Sequence, residues 1–431
     1  MGSYFHSVTL DKEKCVGCTN CIKRCPTEAI RVHEGKATII AERCIDCGEC
    51  IRVCPQHAKR AITDPLETII KYKYPVAIPA PTLFGQFDGQ YSVDQIIFAL
   101  LQLGFAKVWE VARGAEIVTE ATLKYIQQGN MPRPVISSAC PAIVRLIRVR
   151  YPELTEHLLP LDAPMEVSAR IVKQELLQQG YLEHEIGVFF ITPCAAKYTS
   201  VHSPIGREKS AVDGGLAIAD IYGPLLKKLH DLEQVPELRQ AGGTGLKWAV
   251  SGGESSLLEP GSYIAADGLY NVARVLEDVV TGKLKDVSFI EALACPAGCV
   301  GGPLTVENPY MSKARIIALS SLAQPQGRPK PDYEDQELYW DRQVQPESVL
   351  KLDDDIAEAI KKMERLEELH KSLPGLDCGS CGAPTCRALA EDIVRGQADE
   401  IDCIFKLKEK VKEMAEDMVL LSSKLPPSIS R

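Results

Sequence analysis

One cysteine spacing occurs twice near the start of the chain: Cys15-Val-Gly-Cys18-Thr-Asn-Cys21-Ile-Lys-Arg-Cys25-Pro26, then Cys44-Ile-Asp-Cys47-Gly-Glu-Cys50-Ile-Arg-Val-Cys54-Pro55. Each run reads C-x2-C-x2-C-x3-C followed by proline, and the second begins 29 residues after the first. Three thiolates at this spacing wrap three corners of a 4Fe-4S cube, while the fourth cysteine of each run ligates the other cube. The expected ligand sets are Cys15, Cys18, Cys21 and Cys54 for one cube, and Cys44, Cys47, Cys50 and Cys25 for the other. Two zinc sites are the alternative, but zinc favours C-x2-C pairs set apart by longer loops.

Working outward, residues 1–70 are expected to form a two-cluster ferredoxin-like domain, a short hairpin-and-helix unit made twice. A different set closes the chain. Leu373-Pro-Gly-Leu-Asp377 leads into Cys378, Cys381 and Cys386, and after 16 intervening residues comes Cys403. C-x2-C-x4-C with a distant fourth cysteine resembles the small iron-sulfur module found beside electron-transfer and corrinoid proteins. Gly379, Gly382 and Pro384 let the backbone turn tightly around a cube. A zinc ribbon is the alternative; a further 4Fe-4S cluster is the expectation.

Composition sets the class. At 431 residues the chain is nearly three times a domain of about 150, which implies two to four domains. A charged fraction of 25% and a hydrophobic fraction of 45% exclude a disordered chain. The net charge of −9, with no extended Lys/Arg run, argues against nucleic acid as a partner. Apolar stretches such as Ile96–Leu103 and Ile186–Thr192 fall far short of the roughly 18–20 residues that span a bilayer. No charged segment followed by an apolar one opens the chain, so no secretory signal and no membrane span are expected, and the location is expected to be cytoplasmic. In that setting a total of 16 cysteines favours metal ligation over disulfides.

Four cysteines remain: Cys140, Cys194, Cys295 and Cys299. Singly, each reads equally well as an inert core thiol. Their neighbours are Ser137-Ser-Ala-Cys-Pro141, Thr192-Pro-Cys-Ala-Ala-Lys197 and Phe289-Ile-Glu-Ala-Leu-Ala-Cys-Pro-Ala-Gly-Cys-Val-Gly-Gly-Pro303. Pro, Gly and Ala let backbone amides approach a bulky anionic ligand closely. Four thiols from three distant segments suffice for one more cube.

These segments, with the front-end cysteines, resemble the signature of the iron-iron (FeFe) hydrogenases over residues 1–310. The resemblance implies an H-cluster, a 4Fe-4S cube joined to a two-iron subsite carrying CO, cyanide and azadithiolate. Its ligands would be Cys140, Cys194, Cys295 and Cys299, with Cys299 as the bridge. Lys197 matches the lysine that hydrogen-bonds a cyanide, a cationic donor beside an anionic ligand. Pro81 and Thr82 fall where the family brings donors to the other cyanide, and Glu291 fits the third segment. The implied reaction is heterolytic splitting or formation of H2, with electrons passing through the ferredoxin-like cubes.

Departures from the family pattern shape the functional expectation. Ala139 stands where a cysteine usually shuttles protons. Glu120 is kept from the usual proton path, but the next glutamate falls on Leu123, the path arginine on Gln127 and the path serine on Leu159. Loss of one relay costs on the order of 10²–10⁴-fold where proton transfer limits the rate. Two methionines that usually pack on the two-iron subsite become Thr192 and Leu293, and a glutamate becomes Ser200. The pattern resembles the sensory branch of the family, which often carries the alanine and the extra C-terminal module.

The chain is therefore expected to be α+β and multi-domain. Residues 1–70 form the ferredoxin-like domain and residues 71–323 a two-lobed α/β H-cluster domain. A linker and helix follow over 324–372, then a small helical iron-sulfur domain over 373–431. Strands are expected at Pro75–Ile78, Lys107–Val111, Val135–Ser138, Gly187–Thr192 and Lys247–Ser251, alternating with helices such as Val93–Leu103 and Ala163–Gln179. Gln324–Asp335 reads as a linker. Asp353–Leu369 reads as a helix with Ile356, Ile360, Met363, Leu366 and Leu369 on one stripe. Beyond Cys403, residues Ile404, Leu407, Val411, Met414, Met418 and Leu421 keep a heptad spacing. That seam either packs on its own domain or meets a second copy or a signalling partner.

The expected function is a slow FeFe hydrogenase of anaerobic, cytoplasmic type that reports H2 or redox state to a separate protein. A fully working hydrogenase of the ferredoxin-linked class, with H2, protons and a ferredoxin-like redox partner, is the alternative. An iron-sulfur assembly scaffold without the two-iron unit is a third reading.

Overall fold

The computed structural model of the chain describes residues 4–322 and 335–424, apart from Asn130, Glu233, Pro260 and Ser348. Apart from Asp335, the expected linker lies outside the described residues. Two compact units emerge. One draws on Met1–Thr9, Ile45–Arg52 and Arg60–Glu347, the other on Leu10–Cys44, Val53–Lys59 and Ser348–Arg431. The front end is thus divided between units rather than forming one contiguous block.

The larger unit holds two parallel sheets. In the first, the strand order is Lys107–Val108, Tyr74–Pro79, Ile186–Thr192 and Gly214–Ala217. Ile186–Thr192 is buried at all seven positions, as a run of branched and aromatic residues covered on both faces requires. Its one gap is Gly187, where a Cβ would lie 2.4 Å from the Tyr72 ring. The second sheet runs Tyr263–Asp267, Phe289–Leu293, Val135–Ile136. Helices cover both sheets. Val93–Gln102 starts with a capping box in which Ser92 Oγ accepts the Gln95 amide at 3.2 Å and Gln95 Oε1 accepts the Ser92 amide at 2.9 Å. Helix Pro164–Gln178 packs against Val111–Gln128.

Two strand expectations are corrected. Lys107–Val111 is strand only to Val108, because Glu110 caps the helix that begins at Val111. Lys247–Ser251 is no strand. The short helix Gly243–Lys247 runs into a turn that buries Leu246, Ala249 and Val250 in the core. The turn is forced by close approach, since a Cβ on Gly245 would sit 2.0 Å from the Ala112 carbonyl oxygen.

The smaller unit contains the hairpin Ile30–His33/Lys36–Ile39, turned through Glu34 and Gly35 at φ 50° and 72°. Both central residues are left-handed, as the tight hairpin turn demands. Helices Ile356–Ser372 and Cys386–Val394 pack together, with Leu366, Leu369, Leu373 and Leu389 in their core. Asp355 caps the first by accepting the Glu358 amide at 3.0 Å. Of the expected stripe, Ile356, Ile360 and Met363 stay exposed. The heptad residues of helix Ile404–Ser423 are all exposed, so the seam is not packed on its own unit. Among the described residues, no helix is long and apolar enough to cross a membrane.

Candidate metal centres

Parallel α/β sheets present ligands at the carboxyl ends of their strands, and three such ends in the larger unit carry the cysteine segments. Strand Val135–Ile136 leads to Cys140, which caps helix Pro141–Arg150. Strand Ile186–Thr192 leads to Cys194, which caps helix Ala195–His202. Strand Phe289–Leu293 leads to Cys295 and to the turn Cys299–Gly301. Helix N-termini favour thiolate at the first two positions. The third segment is laced into the others: the Leu304 amide donates to the Pro193 carbonyl at 3.1 Å and the Ser251 amide to the Ala297 carbonyl at 3.1 Å. Its glycines are dictated by space. Cβ atoms on Gly298 and Gly302 would lie 2.6 Å from the Ser251 nitrogen and 2.2 Å from the Pro193 oxygen.

The four thiols sense one another. Burial pushes Cys194 up to about 12, and the charges of Cys140 and Cys299 add to the rise. Burial likewise raises Cys140 and, strongly, Cys295. Such a quartet is unfavourable as free thiolates and suited to a cationic iron cluster, which supplies the missing positive charge. Burial alone would lower the Lys197 ammonium, but the surrounding sulfurs outweigh it and hold its pKa up. Lys197 Nζ lies 3.9 Å from Cys299 Sγ, within reach of an N–H···S contact. The turn Pro81–Gly85 packs against Cys299–Gly301. Within it Thr82 is fully buried, and its hydroxyl has no hydrogen-bond partner among the described residues. An orphaned buried hydroxyl beside Cys299 fits a site built to donate to an anionic ligand.

In the smaller unit, a cavity is lined by Cys15, Cys18, Cys21 and Cys54 together with Val32 and Ala37. The amides of Ala37 and Ala58 donate to Cys15 Sγ and Cys54 Sγ at 3.4 and 3.3 Å, as cluster-ligating sulfurs require. Cys25 accepts the Ala29 amide at 3.2 Å. Cys25 and Cys44 belong to this unit, and Cys47 and Cys50 to the other. Near the C-terminus, Cys386 and Cys403 are buried, Cys381 is partly buried and Cys378 is exposed. Burial raises Cys381, and the charges of Cys378 and Cys403 add to it. Cys378 is lowered chiefly by hydrogen bonds from Ser380. All 16 cysteines are free of disulfides.

The positions that depart from the family pattern are also placed. Ala139 is buried, with its amide donating to Ser137 Oγ at 3.2 Å. Glu120 and Gln127 are exposed on helix Val111–Gln128, and Leu159 is buried apolar wall. Thr192 Oγ1 accepts the Cys194 amide at 3.0 Å, and Ser200 Oγ donates to the Ala196 carbonyl at 3.0 Å. Leu293 is buried.

Three residues missed by the sequence reading complete the site. Ser137 Oγ donates to Glu254 Oε2 at 2.7 Å. Burial holds the Glu254 carboxyl well above the usual carboxylate range, helped by the charge of Glu291 and opposed by that of Lys197. Glu291 accepts the amides of Gly252 and Ser255, each at 2.9 Å, and is itself raised by burial. The third residue is Arg52, whose Nη2 donates to Cys295 Sγ at 3.3 Å.

Comparison with known proteins bears on this geometry. At 26% identity, 361 residues match the periplasmic [Fe] hydrogenase large subunit of Nitratidesulfovibrio vulgaris, covering 69% of this chain and 86% of that one. Iron hydrogenase 1 of Clostridium pasteurianum is 27% identical over 394 residues, 73% of this chain and 68% of that one. The fold is that of apo [FeFe]-hydrogenase HydA1 from Chlamydomonas reinhardtii, with a TM-score of 0.51 at 16% identity, covering 65% of this chain and 98% of that one. Residues 7–55 match a 4Fe-4S dicluster domain and residues 373–405 an Fe-S cluster family. Residues 73–259 and 258–303 match the family model of the iron only hydrogenase large subunit, C-terminal domain. The thiol quartet and its lysine thus sit in a chain that belongs to the FeFe hydrogenase family, with iron-sulfur modules at both ends.

Proposed function

We propose that this chain binds H2 and splits or forms it heterolytically at an H-cluster, with low turnover, and reports H2 or redox state to a separate protein. The observation that carries this reading is the quartet Cys140, Cys194, Cys295 and Cys299, with Lys197 at Cys299 and the unpaired Thr82 hydroxyl on the adjoining turn. These residues fit a cube bridged through Cys299 to a two-iron unit. When bound, that unit supplies the open position at which H2 is held and polarised. Lys197 sets a fixed cation beside an anionic ligand, and Thr82 with Pro81 offers a donor from the other side. Leu293 and Leu159 make apolar wall in this unit. Ala139 cannot carry a proton, and Glu120 stands on an exposed face, so the usual relay is broken.

A fully catalytic, ferredoxin-linked enzyme is the second reading, favoured by the Ser137–Glu254 hydrogen bond two residues from Ala139. In either case electrons pass through the front-end cubes to a ferredoxin-like partner. The C-terminal module supports an output role, since buried ion pairs join Arg31 to Asp392 and Arg43 to Glu391. The exposed heptad seam of Ile404–Ser423 fits a second copy of the chain. Sixteen unpaired cysteines suit a reducing, anaerobic cytoplasm.

The test is an infrared spectrum of anaerobically matured protein under argon and then H2. Sharp CO and cyanide bands that respond to H2 are expected. Their absence after maturation with proven assembly machinery, with the cubes still present by iron analysis, would overturn the reading in favour of a scaffold.

A further inference from the structure

Helix Glu49–Arg52 carries Cys50 and ends on a residue that the cysteine spacing treats as filler. Arg52 does not point into solvent. Its Nη2 donates to Cys295 Sγ at 3.3 Å, its Nη1 is ion-paired with Glu49, and its Nε is buried with no hydrogen-bond partner. Desolvation opposes the charge on this guanidinium, yet Cys295, Glu49 and Cys47, in that order, hold it on. One fixed cation therefore feels a thiol of the buried quartet and a thiol of the front-end repeat together. Glu49 lies one turn before it and limits its swing.

We propose that Arg52 sets the reduction potential of the cube ligated by Cys295 and makes it the acceptor for electrons from the front-end repeat. A cation at hydrogen-bond distance from a ligating sulfur stabilises the reduced cluster, which carries one more negative charge, more than the oxidised one. The step is a single-electron exchange. A reduced front-end cube gives up one electron and returns to its oxidised state, the Cys295 cube gains that electron, and no proton or bond changes hands. Arg52 keeps its proton throughout. The guanidinium raises the potential of the receiving cube, and Glu49, by opposing that charge, trims the rise. The arrangement favours filling the buried cube first and holding the electron there.

This inference rests on the quartet holding a cube, so its experiment separates the two. Full-length protein is loaded with its 4Fe-4S clusters without the two-iron unit and titrated with dithionite while the reduced-cluster EPR signals are followed. Cys140→Ser identifies the quartet's signal by removing it together with one cube's worth of iron; if neither is lost, the cube reading fails and not the role of Arg52. With the signal identified, Arg52→Met is expected to lower its midpoint potential, Arg52→Lys to restore most of the fall, and Glu49→Gln to raise it. The signal of the C-terminal cube serves as an internal reference and should not move. Unchanged quartet potentials in both Arg52→Met and Glu49→Gln, at full iron content, would overturn the proposal. If Arg52→Met loses iron, Glu49→Gln decides alone, an upward shift supporting the proposal and no shift rejecting it.

Discussion

Ser137 spans the gap between a residue that cannot titrate and one that can: its oxygen accepts the Ala139 amide while its hydroxyl donates to Glu254 at 2.7 Å. The Glu254 carboxyl is raised by burial and faces Glu291, so the pair holds a proton at pH values where a solvated carboxylate has lost it. Glu254→Gln is expected to lower H2/D2 exchange roughly 10²-fold while leaving the CO and cyanide bands in place. Exchange at the parent rate would mean that protons reach the site without Glu254.

Restoring the thiol tests the other side of the same gap. Ala139→Cys should raise H2 evolution by on the order of 10²-fold, if the remaining path accepts the proton. The rate of the variant in saturating reductant is the measurement. No gain would show that the cysteine is idle without the path residues now replaced by Leu123, Gln127 and Leu159.

Glu110 predicts a pH dependence of stability. It is almost fully buried, with one carboxylate oxygen unpartnered, and burial raises it from 4.5 to about 7 against the pull of the Gln240 and Ala241 amides. The folded chain thus keeps a proton that the unfolded chain releases. Its stabilisation is complete below pH 4.5 and is lost as pH rises through about 7. The difference corresponds to about 3 kcal/mol. Glu110→Gln should flatten that slope in denaturant melts between those pH values, and an unchanged slope would show that other groups set it.

Arg31 and Asp392 form a two-pronged pair, at 2.9 Å between Nη2 and Oδ1, with both side chains buried. Asp392→Asn leaves the guanidinium without its counter-charge and should cost about 3–5 kcal/mol. Limited proteolysis should then cut the C-terminal module faster than the α/β sheets. Replacing both residues by Met and Leu should recover much of the loss; if it does not, the geometry and not the charge is what matters.

Helix Ile404–Ser423 predicts self-association. Six heptad positions are exposed, and Lys410 and Asp417 fall on the same flank one heptad apart. Sedimentation should give a dimer that Val411→Glu with Met414→Glu converts to monomer without changing iron content. A parent chain that sediments as a monomer would leave the seam to a different protein.

What could be read from the sequence was chemistry carried by short spacings. The doubled cysteine run needs only local geometry, so its fold and ligands follow from a dozen residues. The two-sheet architecture was also legible, because Ile186–Thr192 and Phe289–Leu293 are buried runs with strand composition. Glu254 was not, since Gly252-Gly-Glu-Ser-Ser256 reads as loop and its partner Ser137 lies 117 residues away. Arg52 escaped for the same reason, with Cys295 243 residues distant. The apolar Trp248-Ala-Val250 run misled because burial serves a turn as well as a strand.

The 361 residues between Arg31 and Asp392 also impose an order on synthesis. At about 5–20 residues per second, the hairpin that carries Arg31 waits roughly 20 to 70 seconds before its partner leaves the ribosome. During that interval the guanidinium must stay hydrated, and the hairpin's docking face stays open. The last-made helices then close over the first-made strands, so a chain cut short in the 320s is an unfinished beginning as much as a missing end.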